Sequence, residues 1–355
     1  MPSSHSNFNE VPYDSLLLVS FGGPEGPNEV MPFLENVLRG KNVPRERMLE
    51  VAEHYQHFGG VSPINDQCRA LIQAVRKELN DHQISLPIYW GNRNWHPMLE
   101  VTLQEMATDG RKRALAFFTS MFSCYSGCRQ YRENVSAARE KIGVAAPIVD
   151  KIRVAYNHPG FIESQADLLR KTLIKIRSEH RAQTPVLFCA HSIPMTMADN
   201  SRYQIQLLEA CRLVAEHAAH PRWELVFQSR SGPPQQPWLE PDVRDRIHQL
   251  HDQESITNVV LQPIGFVSDH MEVLYDLDDE AAKLCKEMQI EFYRVPSVGV
   301  HSRFVSMIRE LIIERMTPRA DRPALGKYGP NHDVCPENCC LYPQPTRPSQ
   351  PAATT

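Results

Sequence analysis

The sequence has no apolar run close to the roughly 20 residues that a membrane-spanning helix needs. It also has no excess of positive charge, because 38 Lys and Arg against 42 Asp and Glu leave a net charge of −4. That balance argues against a nucleic-acid-binding surface. The first residues lack the basic and then apolar pattern of a secretory signal peptide. We therefore expect a cytoplasmic protein with no transmembrane segment and no nucleic-acid partner.

Several catalytic motifs are missing as well. The chain contains neither the Gly-x-Ser-x-Gly elbow of serine hydrolases nor the His-Glu-x-x-His motif of zinc proteases. The glycines at 22–23 follow an apolar run but lack the spacing of a dinucleotide-binding or phosphate-binding loop. What is present is ordinary for a soluble enzyme: 42% hydrophobic and 23% charged residues in 355. This length suits one large domain or two modest ones.

Short apolar runs alternate with amphipathic helical patterns along the whole chain. Eight runs are predicted to be β-strands, four in each half: 15–21, 87–91, 114–119, 151–156, 185–190, 224–228, 258–263 and 291–295. Strands that alternate with helices form parallel sheets covered by helices on both faces. We predict an α/β protein of two doubly wound, Rossmann-like domains, whose four-stranded parallel sheets face each other across a cleft.

The same pattern predicts four parts of the chain. They are a flexible N-terminus (1–13), an N-terminal α/β domain (14–158), a C-terminal α/β domain whose final helix packs back (159–318) and a tail (319–355). The tail carries three cysteines, and its proline-rich end is predicted to be disordered because such composition cannot bury a core.

An acidic line follows the seventh predicted strand. Glu272, Asp276 and Glu280 are spaced four residues apart and would share one face of a helix that begins at Ser268 or Asp269. Like charges at this spacing destabilise an isolated helix by about 0.2–0.5 kcal/mol per pair. A helix N-terminus, solvent or a passing cation must offset the repulsion. A solvated face with Asp269 as the capping residue is the simpler interpretation of the same pattern.

Polar side chains follow the predicted strands at their carboxyl ends, where doubly wound proteins bind ligands. They are Arg93, His96, Ser123, His191, Ser192, Gln228 and Arg230. If the domains face each other, these residues, the acidic line and the aromatic residues Phe21, Trp95, Trp238 and Tyr275 would share one cleft. That mixture suits a flat, apolar ligand with carboxylate arms and a divalent cation. A lone histidine such as His191 is nevertheless more often a hydrogen-bonded structural residue.

Five segments of the chain resemble the ferrochelatase family. They are LLLVSFGGPE at 16–25, GGVSPI at 59–64, AHSIPM at 190–195, FQSRSGPPQQPWL at 227–239 and PIGFVSDHMEVLYD at 263–276. The resemblance covers roughly residues 14–320 and implies an enzyme that inserts Fe²⁺ into a porphyrin and releases two protons. The porphyrin is protoporphyrin IX or coproporphyrin III, and the reaction is a late step of haem biosynthesis. Alternatives on the same scaffold are a chelatase for another divalent metal and a non-catalytic tetrapyrrole carrier or haem chaperone.

The resemblance also implies which residues form the site. His191 and Glu272 match the catalytic pair on opposite sides of the pocket, and Asp276 and Glu280 match the acidic residues that accompany the iron substrate. The implied porphyrin contacts are Phe21, Ser62, Arg93, Ser123, Trp238 and Tyr275. Some bacterial members of the family have a tyrosine at the position of Phe21, so a phenolate ligand is unavailable there. Which of His191 and Glu272 delivers iron stays open.

The tail has a second implied site. The segment YSGCRQYR at 125–132 resembles ferrochelatases of the actinobacterial type, which carry a [2Fe–2S] cluster. Such a cluster needs four thiolates, and the resemblance implies Cys128, Cys335, Cys339 and Cys340, with Cys124 as the rival of Cys128. A structural zinc ion and free reactive thiols are the alternatives. The implied partners are porphyrin and Fe²⁺, with transient contacts to neighbouring enzymes of the haem pathway.

Overall fold

The computed structural model describes residues 12–40, 43–233 and 235–343. Nearly all of the predicted flexible N-terminus and the proline-rich end of the tail lie outside these ranges. None of the helices in the described ranges combines the length and the apolar character that crossing a membrane would require.

The described residues form two four-stranded sheets, and all strand pairs in both sheets are parallel. The strands are β1 Ser15–Ser20, β2 Ile88–Asn92, β3 Arg113–Phe118, β4 Ile148–Lys151, β5 Val186–His191, β6 Trp223–Gln228, β7 Asn258–Gln262 and β8 Glu291–Arg294. The strand order is β2-β1-β3-β4 in one sheet and β6-β5-β7-β8 in the other, so the two halves share one topology. The predicted fold class is confirmed.

Helices cover the sheets and connect the strands. They are α1 Val30–Leu38, α2 Arg45–His57, α3 Ile64–Asp81, α4 Leu99–Thr108, α5 Gln130–Ile142, α6 Pro159–Leu173, α7 Ser178–Arg181, α8 Met195–Asp199, α9 Tyr203–His217, α10 Val243–Glu254, α11 Met271–Val273, α12 Ala282–Glu287 and α13 Ser302–Met316. Short 3-10 turns lie at Pro27–Glu29 and Gly143–Ala145. Two π-helical segments, Tyr125–Arg129 and Leu274–Ala281, interrupt the α-helical geometry.

The two sheets share one hydrophobic core. A single cluster of buried side chains includes Leu16 and Phe117 from the first sheet and Phe188 and Val260 from the second. The last helix, α13, packs against both α3 and α6, so it joins elements of both halves. The relative position of the two halves is therefore fixed by continuous apolar packing, which makes any cleft between them a defined space.

The fourth strand was predicted at the wrong place. The prediction was 151–156, whereas β4 is Ile148–Lys151 and pairs with β3 from Arg113 opposite Ile148. As an edge strand it is only partly buried, so its sequence lacks a strong apolar signal. The apolar residues that follow, Ile152, Val154 and Tyr156, are buried for another reason: they lie outside the sheet but pack in the main hydrophobic cluster.

The start of the helix that carries the acidic line was also predicted wrongly. The helix begins at Met271, not at Ser268 or Asp269. The Asp269 carboxylate does not cap it, because it accepts hydrogen bonds from the Arg294 guanidinium (2.8 Å) and the Ser297 hydroxyl (2.5 Å) instead. We call residues 271–287, made of α11, the π-helical segment and α12, the acidic helix.

The π-helical geometry explains how the acidic helix holds two stripes in register. Val273, Leu277, Ala281 and Cys285 form its buried stripe against the second sheet, each four positions after the one before. The residues of the acidic line have the same four-residue spacing, and each of them directly precedes a residue of the buried stripe. In a regular α-helix a step of four residues drifts by about 40° around the axis. Since a π-helical turn takes up more residues, it reduces this drift and keeps both stripes on their own faces.

Candidate active site

His191 is the last residue of β5 and stands at the carboxyl end of the second sheet. Its Nδ1 lies 2.5 Å from the Ser192 carbonyl oxygen, which can only accept, so Nδ1 donates and Nε2 points away from the backbone. The Tyr203 hydroxyl donates to the His191 carbonyl oxygen at 3.0 Å. Gly265 packs so closely on Ala190 that an added Cβ would lie 2.9 Å from the Ala190 Cα. Glycine there lets the loop before the acidic helix approach the end of β5.

Nε2 of His191 faces the first carboxylate of the acidic line. It lies 3.6 Å from Oε2 of Glu272, whose side chain is half exposed. His270 approaches the same oxygen, with its Nδ1 3.7 Å away. His270 was missed by the sequence analysis, although it lies inside the segment 263–276. Its only signal in the sequence is its place directly before the helix that begins at Met271, two residues before Glu272.

The two imidazoles have pKa values displaced in opposite directions. Burial alone would lower the pKa of His191, but the carboxylates of Glu272 and Asp276 raise it to about 9. Burial lowers the pKa of His270, and the nearby His191 lowers it further against the opposing effect of Glu272. Near neutral pH the site therefore holds an imidazolium–carboxylate pair beside a neutral imidazole. Groups whose pKa values are pushed apart in this way can serve as acid and base in one site.

Asp276, the second carboxylate of the acidic line, lies deeper than the first. Burial raises its pKa, the Ser229 hydroxyl that donates to it lowers the pKa, and Glu272 raises it again, to about 6. Gln228, the last residue of β6, donates to Asp276 Oδ2 (3.1 Å) and to the Glu272 carbonyl oxygen (3.2 Å). A carboxyl group with this pKa can release or take up a proton near neutral pH.

The outer end of the acidic line opens to solvent. Glu280 forms an ion pair with Arg244 at 3.0 Å, and the Tyr275 ring stacks on His54 of α2 at 3.8 Å between centroids. Both Glu280 and Tyr275 line an open pocket of about 470 Å³. A row of three carboxylates thus leads from this pocket to His191, which suits the passage of a cation.

Residues of the first half close one side of this site. Met271 packs in one buried cluster with Phe33, Tyr55 and Trp95. The side-chain oxygen of Gln67 accepts a hydrogen bond from the Asp269 backbone N–H at 2.8 Å. The acidic helix therefore contacts the first half along its start, and the imidazole–carboxylate pair lies where the two halves meet.

Two of the predicted porphyrin contacts lie together in the first half. Phe21 follows β1, and its ring is 37% exposed, with Phe33 packed against its edge. The Arg93 guanidinium lies 5.8 Å from the Phe21 ring centre and also donates to the Asn134 side chain at 2.7 Å. An exposed ring beside a guanidinium offers an apolar face and a cation to one ligand.

The other predicted contacts lie in varied environments. Trp238 is partly buried, and its indole N–H has no hydrogen-bond partner among the described residues. Ser62 and Ser123 are buried, and Ser123 exchanges hydrogen bonds with Gln206 of α9. All six porphyrin contacts remain predictions. The two serines are the ones that the structure does not bring to an open surface.

The tail brings its cysteines to the first half, against the π-helical turn at 125–129. The Cys335 thiol lies near the Cys128 thiol and within 4.8 Å of the Cys339 sulfur, and the Cys339 and Cys340 sulfur atoms are 3.5 Å apart. Cys124 has a different environment, because its sulfur accepts the Gly127 N–H at 3.1 Å and caps the turn. The four thiols form a row, in which Cys128 and Cys335 make one pair and Cys339 and Cys340 make the other.

A buried cation lies beside these thiols. The Lys151 side chain is 8% exposed, and its ammonium has no hydrogen-bond partner in the part of the chain that the structure describes. It is close enough to interact electrostatically with Cys128, Cys335 and Cys340. Burying an unpaired charge is unfavourable, and four thiolates around an iron–sulfur cluster would supply the missing negative charge. The residues present therefore fit a [2Fe–2S] cluster.

Two facing parallel sheets with an imidazole and a row of carboxylates where they meet define a protein of the chelatase class. Two solved structures share this fold at low sequence identity. A multi-domain protein of Deinococcus radiodurans with structural similarity to chelatases matches with a TM-score of 0.53 at 14% identity, over 85% of this chain and 55% of that one. The sirohydrochlorin chelatase of Bacillus subtilis subspecies spizizenii matches with a TM-score of 0.51 at 9% identity, over 85% and 94%.

Sequence comparisons identify the family within this class. The ferrochelatase family model matches residues 13–316. A ferrochelatase of Rhodopirellula baltica is 62% identical over 337 residues, 95% of each chain. A coproporphyrin III ferrochelatase of Streptomyces coelicolor is 48% identical over 365 aligned positions, 96% of each chain. The chain belongs to the ferrochelatase family, and the prediction of an iron-inserting metal chelatase is confirmed.

Proposed function

We propose that this chain inserts Fe²⁺ into coproporphyrin III, with His191 and Glu272 acting at the centre of the ring. The observation that carries the proposal is the 3.6 Å approach of His191 Nε2 to Glu272 Oε2 at the inner end of the acidic line. The choice of porphyrin is supported by relatives named coproporphyrin III ferrochelatases, which include the Streptomyces coelicolor protein.

In the proposed reaction Fe²⁺ enters at the open pocket and passes Glu280 and Asp276 to reach Glu272. The pyrrole N–H is a weak acid, so removing its proton needs a positioned base. His191 can be that base only after losing its own proton, which the approaching cation promotes by competing for the Glu272 carboxylate. Imidazole and carboxylate both bind Fe²⁺, but so few ligands hold it loosely enough to release it to the four ring nitrogens.

The porphyrin is proposed to bind against Phe21, Arg93 and Trp238, with Ser62, Ser123 and Tyr275 as further predicted contacts. Bending the ring would expose its nitrogen lone pairs, and contacts to the rest of the macrocycle would offset that strain. Transient contacts with neighbouring haem-pathway enzymes and a cytoplasmic location are further predictions, as is the division into domains at 14–158 and 159–318.

We further propose that Cys128, Cys335, Cys339 and Cys340 hold a [2Fe–2S] cluster. Two pairs of contacting thiols suit the two irons of such a cluster, and the buried Lys151 ammonium suits its negative charge. Cys124 is the weaker candidate, because its sulfur already accepts a backbone hydrogen bond. The cluster, when bound, would supply one-electron redox chemistry, and the cysteines would tie the tail to the π-helical turn.

The test is to incubate the purified full-length protein anaerobically with Fe²⁺ and, in separate samples, coproporphyrin III and protoporphyrin IX. The expected result is a faster change from the free-base to the metallated absorbance spectrum with coproporphyrin III. Faster metallation of protoporphyrin IX would overturn the substrate assignment. Binding of both porphyrins with no metallation of either would indicate a tetrapyrrole carrier and overturn the enzyme. The spectrum of the resting protein reports the cluster separately.

A further inference from the structure

His332 lies beside the tail cysteines and has no part in the proposed cluster. Its Nε2 is 3.8 Å from the Cys339 sulfur. The His332 nitrogen and the Cys335 and Cys339 sulfur atoms all lie within 4.8 Å of one another, and no other three metal-binding side chains in the described ranges are so compact. One imidazole and two thiols are donors that Zn²⁺ prefers in proteins.

We propose that His332, Cys335 and Cys339 form a site for a single divalent metal ion of the zinc type. The proposed cluster and this site differ in shape. The four thiols form a row in which Cys128 contacts Cys335, Cys335 contacts Cys339 and Cys339 contacts Cys340, an extended set that suits two irons. The set that includes His332 is compact and suits one ion. A water molecule would complete its tetrahedron.

The residues on either side of His332 hold it in place. The Asn331 amide is buried and donates to the Ser123 hydroxyl at 3.3 Å. The Asp333 carboxylate forms an ion pair with Arg322 at 3.2 Å. Since both neighbours are anchored to other parts of the chain, the imidazole is positioned near the thiols before any metal arrives. Such support distinguishes a built metal site from a chance encounter of donors.

The cysteine side of the site is anchored independently. The Cys339 carbonyl oxygen accepts hydrogen bonds from the guanidinium groups of Arg129 (3.1 Å) and Arg132 (3.4 Å). Metals bind the thiolate form, so an ion that binds here displaces a proton from each of the two thiols.

Sharing two thiols makes the two metal states mutually exclusive. A chain that holds a single ion through Cys335 and Cys339 cannot at the same time assemble the four-thiolate cluster. The inference does not rest on the proposed iron insertion, because none of these residues belongs to the His191–Glu272 site. It also holds if the cluster never assembles, since the compact set is complete without Cys128 and Cys340.

The test uses Co²⁺ as a spectroscopic substitute for Zn²⁺ in the reduced, cluster-free, full-length protein under anaerobic conditions. Thiolate-to-cobalt charge-transfer absorbance reports the cysteine site alone, because the His191–Glu272 site contains no sulfur. The expected result is one thiolate-bound Co²⁺ per chain with the visible bands of tetrahedral coordination, displaced by Zn²⁺. His332→Ala should weaken binding by roughly 10- to 100-fold or more, the loss that follows removal of even an outer-shell partner.

Two further variants separate this site from the cluster. Cys340→Ser should lose the cluster after iron and sulfide reconstitution but keep its affinity for Co²⁺. His332→Ala should show the reverse behaviour, and His217→Ala, which removes an exposed histidine on α9, should match the unaltered protein in both assays. Thermal unfolding of each variant checks that it is folded.

Three outcomes would overturn the inference. The first is an unchanged Co²⁺ affinity in His332→Ala. The second is an equal loss of Co²⁺ in Cys340→Ser and His332→Ala, which would show that the ion also needs Cys340 and that the compact set of three is not the site. The third is no thiolate-bound Co²⁺ in the unaltered protein. A failure of cluster assembly in the unaltered protein would contradict the proposed cluster and leave the cobalt result to decide the single-ion site.

Discussion

His191 Nε2 and Glu272 Oε2 lie 3.6 Å apart, one at the end of β5 and the other at the start of the acidic helix. Burial, which alone would lower the pKa of His191, is outweighed by this carboxylate, and the pKa rises to about 9. Before substrate arrives the two side chains are therefore a charged pair. The Glu272 carboxylate favours the charged form of the imidazole.

Replacing either member of this pair should stop iron insertion but leave porphyrin binding largely intact. We expect His191→Ala and Glu272→Gln each to lower the rate of metallation by about 10²- to 10⁴-fold, the usual contribution of a positioned acid or base. Anaerobic metallation measures the rate, and porphyrin fluorescence quenching measures binding. His217→Ala is the control, because this histidine is exposed on α9. Metallation by His191→Ala at the unaltered rate would remove His191 from the mechanism.

The high pKa of His191 should depend on Glu272. In Glu272→Gln the largest influence that raises the pKa of His191 is gone, and burial is then opposed only by the Ser192 carbonyl hydrogen bond and the Asp276 carboxylate. We expect the pKa to fall from about 9 toward the ordinary value of 6.5. NMR titration of the labelled imidazole in the metal-free protein measures this directly. Glu280→Gln serves as the control, since Glu280 is not among the groups that shift His191, and a similar fall there would contradict the assignment.

The two residues at the outer end of the acidic line should affect iron uptake in opposite directions. Arg244 neutralises Glu280 in an ion pair of 3.0 Å whose side chains are 47% and 29% exposed. Arg244→Ala should lower the KM for Fe²⁺, because it frees a carboxylate, and Glu280→Gln should raise it. Exposed pairs of this kind contribute about 0.2–1 kcal/mol, so we expect changes of a few-fold at most, which diminish as salt is added. Shifts in the same direction would argue against entry at this pocket.

Buried His158 should make the fold sensitive to mild acid. Its side chain is 1% exposed, and burial, followed by Arg153 and Arg303, lowers its pKa to about 3. The unfolded chain binds this proton near pH 6.5 and the folded chain does not, so stability is lost as the pH falls below that value. At pH 5 the loss is about 2 kcal/mol, from 1.36 kcal/mol per pH unit.

The variant His158→Asn tests this loss. His158 is the N-cap residue of α6, and its Nδ1 accepts the Gly160 N–H at 3.1 Å, a capping bond that an asparagine side chain can also accept. Urea unfolding at pH 7.5 and pH 5 should show a smaller loss of stability in the variant, by about 2 kcal/mol. An equal loss in both proteins would assign the acid sensitivity to other groups.

Lys151 should stabilise the bound cluster and lower the stability of the protein when the cluster is absent. Its buried ammonium lacks a hydrogen-bond partner within the described ranges. Lys151→Met should raise the stability of the cluster-free protein by roughly 1–3 kcal/mol, the range for an unsatisfied buried polar group. The same change should speed the loss of cluster absorbance in air. Lys175→Met, at an exposed lysine, is the matched control, and slower cluster loss in Lys151→Met would contradict this role.

Local patterns in the sequence were sufficient for seven of the eight strands, the grouping of the strands into two α/β halves and the four-residue spacing of the acidic line. They failed for β4, where an edge strand is too exposed to give an apolar signal, and for the start of the acidic helix, where Asp269 pairs with Arg294 instead of capping. His270 and His332 were missed for a related reason. Neither residue belongs to a periodic pattern, and each is recognised as a candidate site residue only by a contact in the folded structure, His270 with Glu272 and His332 with Cys339.

The sequence by itself determined the fold class, because the alternation of apolar runs and amphipathic helices is a property of neighbouring residues. It also determined which reactive side chains are available: one histidine at a strand end, a row of carboxylates and three cysteines in the tail. Only the tertiary structure decided which of these groups meet. His191 with Glu272, and Cys128 with Cys335, come together through the packing of elements distant in the chain, and local sequence patterns do not encode such distances.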